Sequence, residues 1–141
     1  MRTQNAALTA DASLEAREAA SFRQAIANCF KVFGDEAFKL KKDPNKRANR
    51  SAPYADAVMQ ALADRSPASL TPDAVARIRA AFEELCTQNQ DFRSAVEKGT
   101  NGESAIKNRI TLARASVDKA LKLAKQTSSR RTTTKRSSKK Q

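Results

Sequence analysis

Residues 103–125 read ESAIKNRITLARASVDKALKLAK, and this stretch decides the fold class. Its apolar side chains recur every three to four residues, the spacing of one face of an α-helix, while its cations lie largely off that face. We therefore predict a helix over residues 103–125. Its apolar stripe is formed by Ile106, Ile110, Ala113, Val117, Ala120 and Leu121.

Toward the N-terminus, helix-starting and helix-ending residues divide the chain into further helices. Ser51 and Thr71 are suited to N-cap positions, and each has a proline within the turn that follows. Gly34 is suited to ending a first helix over residues 13–33, and a short helix is predicted from Asp91 to Gly99. The predicted stripe of the first helix is Phe22, Ile26, Phe30 and Phe33, with Cys29 alongside.

No segment shows the alternating pattern of a strand. The sequence therefore predicts an all-α protein, a compact bundle of four to five helices over residues 13–125. Residues 1–12 are predicted to be a flexible N-terminus. All six phenylalanines are interpreted as core residues.

The last sixteen residues, 126–141, contain six cations and no acid, and the others are Ser, Thr or Gln. Such a segment has no apolar side chains whose burial would offset the entropy lost on ordering the chain. We therefore predict a disordered basic tail. Its cations are candidate nucleic-acid contacts, because Lys and Arg neutralise phosphates without sequence preference. They are Arg130, Arg131, Lys135, Arg136, Lys139 and Lys140.

A second basic segment, residues 39–50, is predicted to be a charged loop that turns at Asp43-Pro44-Asn45. The net charge of +12 is concentrated in this loop and in residues 104–141, which suggests an anion-binding surface. The loop is either a second contact zone for nucleic acid or a solvated connection. Its candidate contacts are Lys41, Lys42, Lys46 and Arg47.

Residue types needed for common catalytic sites are missing from the sequence. It contains no histidine, which excludes Ser-His and Cys-His nucleophile pairs and histidine-containing metal sites. Cys29 and Cys86 occur at core spacings and are interpreted as buried free thiols. No glycine-rich phosphate loop is present. We therefore expect no enzymatic activity, no cofactor and no metal.

The N-terminus lacks the apolar run of a secretory signal, and no apolar stretch approaches the ~20 residues of a membrane span. We expect a cytoplasmic protein that does not associate with a membrane.

Several motifs in the helical part occur together in a fixed order. Phe-Gly-Asp-x-Ala-Phe at 33–38 is followed by Arg47 and Asn49, by the helix carrying Tyr54 and Asp56, and later by Ile106-Lys107-Asn108-Arg109-Ile110. Over residues 22–115 this pattern resembles the helical C-terminal part of the GmrS/GmrD-type ParB/sulfiredoxin-like restriction proteins. The resemblance implies a role in bacterial defence or DNA metabolism. The ParB-like motif and the His-Asn-His nuclease domain of that family have no counterpart in this sequence.

Two functions follow as expectations. The first is a non-enzymatic accessory domain that binds nucleic acid nonspecifically through the basic tail and loop. The alternative is a protein-interaction subunit that completes a separate ParB-like nuclease partner, the tail being only solubilising. Arg109, beside Ile110 on the last helix, is expected to pair with a carboxylate inside the bundle as a structural clamp.

Overall fold

The computed structural model describes residues 2–41, 43, 45–98 and 100–137, and of residues 2–11 and 132–137 it describes the backbone alone. The described chain forms five α-helices and a minimal two-stranded sheet. Short 3₁₀ turns occupy Gly34–Glu36 and Pro67–Ser69. In chain order the elements are α1 (Arg2–Phe33), β1 (Lys39–Leu40), β2 (Asn49–Arg50), α2 (Ala52–Leu62), α3 (Pro72–Thr87), α4 (Gln90–Glu97) and α5 (Glu103–Ser137).

The helix boundaries follow from local side-chain chemistry. The Ser51 hydroxyl accepts a hydrogen bond from the Tyr54 N–H, and the Thr71 hydroxyl accepts one from the Ala74 N–H. Each cap satisfies a backbone donor that the first helical turn leaves without a partner. Gly34 has a positive φ of 58°, the conformation that ends α1. These three boundaries confirm the sequence prediction.

One hydrophobic core joins all five helices. The largest fully buried side chains include Phe82 and Ile78 of α3, Phe92 of α4 and Leu62 of α2. Aromatic rings meet edge to face inside it: the Tyr54 ring centroid lies 6.2 Å from that of Phe82 and 6.4 Å from that of Phe92. The all-α bundle predicted from the sequence is therefore confirmed.

α5 packs against α2, α3 and α4, whereas α1 packs against α2 and α3. α5 runs in the same direction as α2, because Arg109 contacts Asp56 near the start of α2 and Asp118 contacts Arg65 just beyond its end. α1 runs the opposite way, since Asn28 contacts the end of α2 while the segment after α1 returns to its start.

The basic segment 39–50 contains a small hairpin that the sequence did not predict. β1 and β2 pair antiparallel, with Lys39 opposite Arg50 and Leu40 opposite Asn49. Leu40 is buried and anchors the hairpin to the core. Strands of two residues are too short to produce a period-two pattern, so the sequence carried no signal for them.

Both terminal segments differ from the sequence prediction. α1 already begins at Arg2, and α5 continues to Ser137, through most of the segment predicted to be a disordered tail. Four alanines in residues 2–12 favour helix, and no glycine or proline follows Gly102 to end α5. Lys139 and Lys140 lie outside the described residues.

The prediction that all six phenylalanines are core residues was wrong for two of them. Phe22 and Phe30 are exposed, and the buried face of α1 is formed instead by Ala25, Asn28, Cys29 and Val32. Phe30 follows Cys29 and lies about 100° from it around the helix, so it faces away from the core. Phe22 precedes Ala25, the first buried residue among the α1 side chains that the structure describes.

Among the described residues, no helix combines the length and apolar character that crossing a membrane requires.

Candidate nucleic-acid interface

The C-terminal half of α5 carries a dense set of exposed cations. Ala124 is the last buried residue among the α5 side chains that the structure describes, which end at Arg131. The thirteen residues from Lys125 to Ser137 continue the helix for about 20 Å at the helical rise. Their Ser and Thr side chains leave the cations without apolar neighbours to cover them. The exposed cations on this half are Lys119, Lys122, Lys125, Arg130 and Arg131; Lys135 and Arg136 also lie on the helix.

One acid, Asp118, accompanies these cations on the C-terminal half of α5. Its Oδ1 lies 2.7 Å from Nη2 of Arg65, and the Arg65 Nε donates to the Ala61 carbonyl at 3.1 Å. Arg65 thus comes from the end of α2 to neutralise the carboxylate. The cations beyond position 118 have no acid among them on this helix.

Thr127 connects the start of this extension to the bundle. Its hydroxyl donates to the Leu123 carbonyl one turn earlier at 3.0 Å and accepts from Nη2 of Arg77 on α3 at 2.9 Å. Arg77 is itself paired with Asp73, at 3.0 Å from Nε to Oδ2. The first turn beyond the core is therefore held against α3.

The second predicted contact zone lies on the hairpin segment. Lys41, Lys46 and Arg47 are exposed, and the Lys46 ammonium is 3.9 Å from the Asp43 carboxylate. Lys42 lies outside the described residues. An ion pair at this distance in solvent is worth about 0–1 kcal/mol and leaves Lys46 able to exchange partners.

The structure does not bring the two basic regions together. α2 begins beside the hairpin, where the Ser51 N–H donates to the Phe38 carbonyl at 3.1 Å. α2 ends beside the middle of α5, and α5 continues from that point away from the hairpin. The hairpin and the α5 extension therefore lie at opposite ends of the bundle, at least the length of α2, about 16 Å, apart.

Arg109 is buried at the start of α5 and joins three parts of the chain. Its Nη2 lies 3.0 Å from Oδ2 of Asp56 on α2, and its Nη1 donates to the Thr100 carbonyl at 2.6 Å. Its Nε is buried without a hydrogen-bond partner among the described atoms. This is the carboxylate contact expected of a structural clamp, and it lies at the opposite end of α5 from the basic extension.

The two cysteines are free thiols inside the core, as the sequence predicts. Burial raises the pKa of the Cys29 and Cys86 thiols to about 12, so both are protonated at neutral pH. Burial likewise raises the pKa of Tyr54, which is hydrogen-bonded to Cys86. A protonated, buried thiol is a poor nucleophile.

Sequence reasoning missed an exposed aromatic surface next to the hairpin. The Phe30 ring packs edge to face against Phe38, at 5.9 Å between centroids and 85° between planes, and the two rings share a shallow depression with Lys39 and Arg50. A signal existed in the sequence, because Ala25, Cys29 and Val32 form a second, small-residue stripe on α1 that allows close helix packing. The sequence prediction instead assigns the phenylalanine stripe to the core.

Comparison of the chain with protein-family models finds no match, and comparisons with curated proteins and with solved structures find none either.

Proposed function

We propose that this chain is a cytoplasmic, non-enzymatic helical domain that binds nucleic acid without sequence preference, through the cations of the α5 extension and of the hairpin segment. Its place would be in bacterial defence or DNA metabolism, as the resemblance over residues 22–115 implies.

The observation that carries the proposal is the separation of charge along the chain. Residues 104–141 contain twelve cations and one acid, and the acid is neutralised by Arg65 from another helix. Solubility alone does not require charges of one sign to be collected at one end. A polyanion attracts such a cluster and releases its own counterions when the cluster binds.

The geometry of α5 suits contacts to phosphates. Duplex DNA carries one negative charge per about 1.7 Å of its axis, so an extension of about 20 Å passes roughly a dozen phosphates. Lys and Arg side chains contact the phosphate backbone, and such contacts carry no sequence information. Binding of this kind localises a protein on nucleic acid and does not select a sequence.

Contact through the hairpin is a separate contribution. Because the two basic regions lie at opposite ends of the bundle, a short duplex that occupies the extension leaves the hairpin free. A longer strand reaches both. The proposal therefore predicts that affinity rises with oligonucleotide length beyond what the extension alone needs.

The absence of a catalytic step in this proposal is supported by the chain itself. It contains no histidine, and both thiols are buried and protonated. Within the described ranges, no group of three or more Asp, Glu or Cys residues is placed to hold a metal ion.

The proposal is tested by the salt dependence of duplex DNA binding, measured by fluorescence anisotropy on a 20-base-pair probe. Arg130→Gln with Arg131→Gln removes two cations while keeping good helix formers. The slope of log K against log salt should become shallower by about 2. Arg17→Gln with Lys98→Gln removes the same charge outside both basic regions and should leave the slope unchanged. Equal slopes for all three proteins, or no binding at low salt, would end the proposal.

A further inference from the structure

Two phenylalanines of α1 are exposed on the same side of the helix. Phe22 is 57 % exposed and Phe30 49 %, and Ile26 lies half-buried between them. Large aromatic side chains usually contribute to the core or to an interface. The two rings are two helical turns apart, about 12 Å along the axis.

Cations accompany the second of these rings. The depression of about 760 Å³ beside Phe30 is lined by Phe38, Lys39 and Arg50 and by one acid, Asp35. Lys39 and Arg50 face each other across the hairpin, which fixes the spacing of their backbones. The hairpin thus holds two cations next to an aromatic wall. The Lys39 ammonium lies 3.0 Å from Oε1 of the exposed Glu36, so a phosphate that binds Lys39 replaces this ion pair.

The small apolar area and the charge of this surface favour a polyanion over a second copy of this chain. The exposed parts of the two rings amount to about 200 Å², against about 800 Å² per partner in a stable interface. Residues 22–51 contain eight Lys and Arg and three Asp and Glu, a balance of +5. Two such surfaces repel each other, whereas a polyanion is attracted to either.

Among polyanions, the exposed rings favour a strand with unpaired bases. In a duplex the base faces are stacked on one another and cannot reach an aromatic side chain. In a single strand the faces are free, and stacking on a protein ring strengthens binding by about tenfold per base.

We infer that the surface formed by Phe22, Phe30, Phe38, Lys39 and Arg50 binds single-stranded nucleic acid, an inference that rests on the proposed function and names its preferred substrate. One base stacks on Phe30 in the depression, and Lys39 and Arg50 contact the neighbouring phosphates. A second base stacks on Phe22. At about 3.4 Å per stacked nucleotide, a strand of four to five nucleotides spans the 12 Å between the rings.

The test compares the affinity of the full chain for a labelled 20-nucleotide oligothymidine and for the 20-base-pair duplex. Phe22→Ala and Phe30→Leu each remove one π-face. Each should weaken binding of the single strand by about tenfold and leave duplex binding unchanged. Leu123→Ala is the control, because Leu123 is an exposed apolar residue on α5 that carries no aromatic ring.

A direct readout comes from Phe22→Trp, since the chain contains no tryptophan of its own. Oligothymidine should quench the single indole by stacking on it, and the duplex should not. Phe22 is more than half exposed, so there is room for the larger indole at the surface.

The outcomes separate the inference from the proposed function. If both probes bind but the Phe variants bind the single strand as well as the unchanged chain does, the stacking inference is wrong and the proposed function stands. If neither probe binds, both are wrong. A concentration-dependent dimer that Phe22→Ala dissociates would assign the surface to a second copy and overturn the inference.

Discussion

The side-chain amide of Asn28 on α1 donates a hydrogen bond to the carbonyl of Leu62 at 2.8 Å, at the C-terminal end of α2. The same Nδ2 donates to the Arg65 carbonyl at 2.9 Å, and Oδ1 accepts from Nε2 of Gln24 at 2.9 Å. The last carbonyls of a helix have no partner within the helix. Asn28, which is fully buried, donates to two carbonyls at the C-terminal end of α2.

Asn28→Ala should therefore lower the free energy of unfolding by about 1–3 kcal/mol, because it removes the Nδ2 donor from two carbonyls, and the Leu62 carbonyl then keeps only the Arg65 N–H at 3.3 Å. Urea unfolding followed by circular dichroism measures the change. Gln24→Ala is the matched control: it removes one half-buried partner and leaves both carbonyl bonds intact, so its effect should be clearly smaller. Equal losses in the two variants would show that Asn28 does not cap α2.

Arg109 provides a second test of the fold. Asp56→Ala should cost about 1.5–3 kcal/mol of unfolding free energy, because it removes an acceptor from a buried cation. Glu103→Ala breaks the exposed pair with Lys107, whose Nζ and Oε1 are 2.8 Å apart, and should cost no more than about 1 kcal/mol. A cost for Asp56→Ala no larger than that of the control would mean that Arg109 is not a clamp.

The buried thiols give the fold a dependence on alkaline pH. In the unfolded chain a thiol ionises near pH 9, whereas the pKa of the folded Cys29 and Cys86 is about 12. The folded state binds more protons between these values, so the free energy of unfolding should be steady below pH 9 and fall as the pH rises toward 12.

Urea unfolding at pH 8, 9, 10 and 11 measures this fall. The double variant Cys29→Ala, Cys86→Ala lacks the ionisable thiols, so its stability should decline less steeply over the same range, although it is lower at pH 8 because of lost packing. Parallel curves for the two proteins would contradict the assignment of the pH dependence to the cysteines.

Sequence reasoning succeeded where a local rule decides the structure. The caps Ser51 and Thr71 and the left-handed Gly34 depend on one or two residues each, and all three were predicted. It failed where tertiary packing chooses between candidates. On α1, two stripes compete, and the one with Ala25 and Cys29 is buried because it lets α1 approach its neighbours closely.

The candidate site shows the same division. Exposure of Arg130 and Arg131 followed from composition, because nothing near them in the sequence can cover them. The separation of the hairpin from the α5 extension could not be predicted from composition, because it depends on α5 running in the same direction as α2. The contact of Arg65 with Asp118 joins positions 53 residues apart in sequence, which periodicity does not connect.

The most direct test of the central claim compares duplex DNA binding by the full chain and by a variant ending at Lys125, one residue after the buried Ala124. Both are titrated between 50 and 200 mM salt, with circular dichroism to establish that the bundle is intact. The truncation removes six cations, so the slope of log K against log salt should become shallower by about 5. Identical slopes for the two chains, or no binding by either at 50 mM salt, would contradict the account.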